Sequence, residues 1–117
     1  MAKINLSAYR GDLVEFPFVF KDGNGVAIDI TGWILFFTLK NNIDDSDNSA
    51  VLKVDVTSHT DPVNGKTEVI LSNISTDSLA GEYFYDFQFK NNLGEIKTIM
   101  SGIFEFLKDV TRRTVPS

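Results

Sequence analysis

Asp77-Ser78-Leu79-Ala80-Gly81-Glu82-Tyr83-Phe84-Tyr85-Asp86-Phe87-Gln88-Phe89-Lys90 is the stretch that decides the fold class. Tyr83, Tyr85, Phe87 and Phe89 recur at every second position, while Asp86, Gln88 and Lys90 interrupt the other face. A period of two is that of a strand with one buried face; a helix would repeat near 3.6. Gly81 opens this strand. Ser72 to Ala80 before it breaks the alternation, and Asn73 to Leu79 has the composition of a single helical turn at a sheet edge.

The same period extends in both directions. Val14, Phe16, Phe18 and Phe20 alternate with Glu15 and Pro17. Pro17 has no N–H to give a ladder, which predicts an edge or bulged strand. Asp22-Gly23-Asn24-Gly25 is a turn, and Val26 to Ile30 reads as a short strand. Trp33 to Lys40 is apolar at nearly every position, the pattern of a central strand covered on both faces. Polar Asn41 to Ala50 is a loop, Val51 to Val56 a strand, Thr57 to Lys66 a turn region and Thr67 to Leu71 a strand. Asn91-Asn92-Leu93-Gly94 closes a hairpin into Glu95 to Met100. Gly102 is read as a break or bulge before Ile103 to Leu107, and a flexible tail is expected from about Thr111 to Ser117. Seven or eight strands spaced by 8–12 residues predict an all-β sandwich or barrel. Residues 1–117 read as one domain.

Composition narrows the function. A chain of 117 residues buries roughly two thirds of its unfolded surface, enough for a core without staples. It has no Cys, so thiolate chemistry and disulfides are excluded. The net charge of -5 is ill suited to phosphate backbones, so nucleic acid is not an expected partner. No apolar run approaches the ~20 residues that span a bilayer, and the start Met1-Ala2-Lys3-Ile4-Asn5 lacks the apolar core of a signal peptide.

The residues that could carry chemistry have plainer readings. Arg10-Gly11-Asp12 spells an adhesion tripeptide, but Gly-Asp before a strand is ordinary turn chemistry. Asp44, Asp45 and Asp47 lack the Gly and Glu of a calcium loop, so no metal is expected. His59, the single His, stands among turn residues with no nucleophile in recognisable context. No catalytic residue and no cofactor follow from this pattern. Trp33, next to Gly32, is read as core, with solvent exposure as the alternative. Phe36, Phe84, Phe104 and Phe106 are the aromatics whose face the alternation leaves unassigned, and they are the candidate partner interface.

The segment from Asp77 to Tyr85 resembles the corner of immunoglobulin-like sandwiches, in which a Tyr near a strand start bonds back to the preceding turn. That resemblance makes Tyr83 the corner residue beside Gly81, has Leu79 plug the sheet edge, and implies an antiparallel immunoglobulin-like β-sandwich. The wider order of features runs Tyr9-Arg10-Gly11-Asp12, Phe16-Pro17-Phe18, Asp22-Gly23-Asn24-Gly25, Asp29-Ile30-Thr31-Gly32, Leu79 to Tyr83, and Gly94 to Ile103-Phe104. This order resembles the N-terminal immunoglobulin-like domain of tailed-phage baseplate upper proteins, over about residues 6 to 110. The resemblance implies a structural virion protein, made in the bacterial host cytoplasm and assembled with other virion proteins and copies of itself. It also implies a stand-alone spacer, decoration or connector, or a dock without its cargo, since the helical docking regions of that family have no counterpart here. The candidate docking edges are Lys3 to Ala8 and the Pro17 strand. A carbohydrate- or host-surface-binding sandwich is the alternative expectation.

Overall fold

The computed structural model describes residues 2–116. It has eight strands: β1 (Ala2–Lys3), β2 (Leu6–Tyr9), β3 (Val14–Val19), β4 (Ile34–Lys40), β5 (Leu52–Val56), β6 (Lys66–Leu71), β7 (Gly81–Lys90) and β8 (Ile96–Leu107). One helical turn, α1 (Asn73–Thr76), precedes β7, and short 3₁₀ turns cover Asp47–Ser49 and Pro62–Asn64. The class is all-β, in two sheets. The larger, a curled sheet, runs β1-β8-β7-β4-β5, with β2 also on β8; the smaller pairs β3 with β6.

The sheets face each other across one core. Leu35, Phe37 and Leu39 of β4, Val69 and Leu71 of β6, and Tyr85 and Phe87 of β7 are buried in it. Phe16 reaches across from β3 and sets its ring edge-on to Phe87 and Phe104, at centroid distances of 5.1 and 6.0 Å. Edge-on pairs of this kind contribute about 0.5–1.5 kcal/mol each beyond their buried area. Pro17 stands opposite Glu68 on a strand whose single partner is β6, so its missing N–H faces no ladder.

The larger sheet is mixed, where the sequence led us to expect antiparallel pairing throughout. β1 and β2 run parallel to β8, in registers Ala2↔Met100 and Leu6↔Phe104. Alternation reveals which face a residue takes, but not the direction of its partner. Val26 to Ile30 is likewise not a strand. Lys21 and Ala27 form one isolated bridge, and Ile28 and Ile30 donate to Phe20 and Pro62, two different segments. β8 runs unbroken through Gly102; the ladder irregularity lies instead at Phe87/Gln88, where Met100 and Thr98 are the successive partners and Ile99 is the extra residue.

α1 begins where Ser72 Oγ accepts the Ser75 amide at 3.1 Å. Its Thr76 is fully buried and donates to the Asp12 carbonyl at 2.8 Å, tying the β2–β3 turn to the start of β7. Residues from Val110 to Pro116 carry no strand and are exposed, and Ser117 lies outside the described residues. Among the described residues no helix is long and apolar enough to cross a membrane.

Candidate binding surface

The outer face of the larger sheet forms a concave surface. On β4, Leu35, Phe37 and Leu39 point to the core, so Phe36, Thr38 and Lys40 point away. Registers Phe36↔Gln88, Thr38↔Asp86 and Lys40↔Phe84 bring the outward residues of β7 alongside. Phe36↔Asp55 and Thr38↔Lys53 extend the rows onto β5, and Phe84↔Ile103 and Asp86↔Ser101 extend them onto β8. The result is a groove of about 1050 Å³. Its middle row is Lys53, Thr38, Asp86, Ser101 and Lys3; Phe36 flanks one side, and Phe84 with Ile103 the other.

Phe36 is half-buried and Phe84 is 38% exposed, so both rings are presented in this groove. Phe104 and Phe106, the other two candidate interface aromatics, are each 1% exposed and stack on one another in the core at 4.4 Å. The extra residue at Ile99 is the cause: a one-residue slip reverses which side chains face inward beyond it. β4 is central in its sheet, as expected, but it is covered on one face only.

The charges in the groove are partly paired. Lys40 Nζ lies 2.9 Å from Asp47 and donates to the Asp45 carbonyl at 2.7 Å. Burial pushes the Asp86 carboxyl above the usual carboxylate range; Gln88, which donates to it at 3.0 Å, and nearby Lys40 pull the other way. Asp45 and Asp47 thus converge on Lys40 rather than on each other. Among the described residues, no group of three His, Cys, Asp or Glu side chains is placed to hold a metal.

A second, smaller recess of about 310 Å³ lies at the other end of β4. Phe20, Ile28, Trp33, Phe89 and Ile99 line it, with Lys21, Lys97 and Thr98. Trp33 is half-buried, neither sealed in the core nor free: its ring stacks on Phe89 at 4.7 Å and 12°, and Phe20 meets it edge-on at 5.4 Å. Sequence reasoning named Trp33 alone. The partners that make it a recess come from the segment between β3 and β4, from β7 and from β8, and their convergence is a matter of topology.

The remaining candidates hold structure. Tyr83 Oη receives the Ala80 amide at 3.0 Å and donates to the Ala80 carbonyl at 3.1 Å. Leu79 is 2% exposed in the core, and Gly81 has φ 95°, a conformation that glycine adopts without strain. His59 lies 2.7 Å from the Trp33 carbonyl through Nε2 and 2.8 Å from Thr67 Oγ1 through Nδ1. A carbonyl only accepts, so Nε2 carries a proton, and the ring ties the 57–66 turn region to the start of β4. Arg10 faces Asp109 at 3.6 Å, a spacing longer than a hydrogen bond, and Asp109 also meets Arg112 at 3.7 Å. The Arg10-Gly11-Asp12 turn is therefore anchored at its Arg to the segment after β8. Asp29 accepts from the Thr31 amide and hydroxyl at 3.0 and 2.6 Å, which lowers its pKa and shapes the turn below the buried Ile30.

No protein-family model matches this chain, and no curated protein matches it in sequence.

Proposed function

We propose that this protein is a non-enzymatic assembly module of immunoglobulin-like sandwich type. In this reading it is a structural component of a tailed-phage virion, associated with tail, baseplate or fibre, and it works by protein–protein contact. The sandwich reading draws on the strand order: β5-β4-β7-β8 corresponds to the C′CFG sheet of variable-type domains, and β3-β6 to part of the opposing sheet. The corner bonds of Tyr83 to Ala80 support the same assignment. The virion reading draws on the order of sequence motifs from Tyr9 to Phe104.

The observation that carries the contact mechanism is the pair Phe36 and Phe84. Two aromatic rings stand on the outer face of a five-strand-wide sheet, where packing with a partner would remove them from water. A Phe ring has only two side-chain torsions to fix, so little side-chain entropy is lost on docking. Mass spectrometry of gradient-purified particles from the source phage or induced prophage tests the reading. The protein is expected to band with particles at many copies. Particles that assemble without it overturn the proposal.

The alternative is a glycan-binding module. It is favoured by the mixture in the groove, where Thr38, Asp86, Gln88 and Ser101 offer hydrogen bonds between the aromatic flanks. Binding to a glycan array that Phe84→Ser abolishes, with no incorporation into particles, would select it.

A further inference from the structure

The two ends of β4 carry features that match each other. Beyond its C-terminal end, the β4–β5 loop holds Ile43 at 70% exposure. The loop is braced: Lys40 Nζ bonds the Asp45 carbonyl and pairs with Asp47, and Asp45 accepts the Asn42 amide at 3.2 Å. Asp44, next to Ile43, is exposed and makes no hydrogen bond or ion pair among the described residues. The loop therefore presents an apolar knob and an uncompensated carboxylate on a support already shaped for contact.

At the N-terminal end of β4, the recess beside Trp33 is the counterpart. Its floor is the Trp33–Phe89 stack with Phe20, Ile28 and Ile99, and its only charged lining residues are Lys21 and Lys97. A branched aliphatic side chain suits a recess of about 310 Å³. A carboxylate beside that side chain falls within reach of two ammonium groups. The neighbouring edge of β8 is open as well: the described residues of β1 and β2 pair with β8 only from Met100 onward. Edge backbone with no strand beside it among the described residues, next to an apolar recess, leaves room for a neighbouring chain.

We infer that the Ile43–Asp44 knob of one copy docks in the Trp33 recess of a second copy of this chain. A chain of net charge -5 repels itself overall, so self-contact needs a local match of opposite sign. Asp44 with Lys21 and Lys97 supplies that match. Knob and recess lie at opposite ends of a seven-residue strand, roughly 20 Å apart at about 3.4 Å per residue. The contact is therefore head-to-tail. Each added copy exposes a fresh knob or recess, so the assembly grows until it closes as a ring or extends as a filament. This inference rests on the assembly reading above and adds to it a contact between copies of this chain, separate from the Phe36–Phe84 face.

Sedimentation velocity of the full chain over a concentration series tests it. The variants are Lys97→Glu, Asp44→Lys, their double and Ile43→Ser, all at exposed positions that leave the core intact. The wild-type mass is expected to rise with concentration, more weakly at high salt. Each single variant should weaken association at least tenfold, and the double charge reversal should restore it. A wild type that stays monomeric overturns the inference, as do single variants that associate normally or a double variant that does not recover. A monomeric wild type that still bands with particles removes this contact and keeps the assembly reading. A monomeric wild type whose Trp33 fluorescence is quenched by an acidic oligosaccharide assigns the recess to a glycan instead.

Discussion

The carbonyl oxygen of Ile4 sits where a side chain at Gly102 would begin. Tyr85, directly across the ladder from Gly102, donates its hydroxyl to that same carbonyl. An absent side chain and a buried phenol together seat the linker between β1 and β2 against β8. Burial also raises the Tyr85 pKa, so the phenol stays neutral and able to donate.

Gly102→Ala should therefore unseat the N-terminal strands. Backbone cannot swing aside as a flexible side chain does, and the overpacking should cost about 1–3 kcal/mol. Tyr85→Phe keeps the ring and loses one bond, at about 1 kcal/mol. Denaturant unfolding measures both. Hydrogen exchange localises the damage: the Ile4 and Arg10 amides, bonded to Ser101 and Leu107, should exchange faster while Phe37 stays protected.

The corner before β7 offers a second comparison. Tyr83→Phe removes two bonds to Ala80 at a partly exposed site and should cost about 1 kcal/mol. Leu79→Ala opens a cavity under the same corner and should cost about 2–5 kcal/mol. Urea midpoints that rank the two variants in the opposite order would mean that the hydroxyl, not the leucine, holds the corner.

These contrasts mark what the sequence made legible. Inward facing was readable wherever polar residues broke the alternation, as at Asp86 and Gln88, so Tyr85 and Phe87 were placed in the core. Phe104 and Phe106 were not, because Ile99 shifts the parity of β8 and no residue type announces such a slip. Gly102 looked like a break; it is a close-approach site whose cause, Ile4, lies 98 positions earlier in the chain. Apolar Trp33 to Lys40 suggested a strand covered twice, yet Phe36 faces the groove. The outer face became a candidate site only once cross-strand registers set Thr38 beside Asp86, and pairings between distant segments leave no local trace in sequence.

Asp86 gives the groove a pH signature. Its carboxyl is raised in the folded state, chiefly by desolvation, so the folded chain holds that proton more tightly than the unfolded chain does. The ionised form opposes folding at neutral pH, and that opposition is relieved as pH falls through the raised value towards about 4. Asp86→Asn keeps an acceptor for Gln88 and removes the titration. The Tm of the wild type minus that of the variant should rise between pH 7 and about pH 4. A flat difference would show that the carboxylate remains hydrated in its groove.

The four phenylalanines separate folding from function most directly. Phe104→Ala removes a fully buried ring stacked on Phe106 and should cost about 3–5 kcal/mol. Phe36→Ser and Phe84→Ser alter rings on the outer face and should each change stability by about 1 kcal/mol or less. If the outer face is the assembly surface, the two serine variants fold, remain soluble and fail to enter particles, singly in part and together completely. Phe104→Ala should fail at the earlier step, with loss of cooperative unfolding and little recoverable protein. Serine variants that fold and still load at wild-type copy number would move the interface to the strand edges, where β5 and the open end of β8 are the next segments to alter.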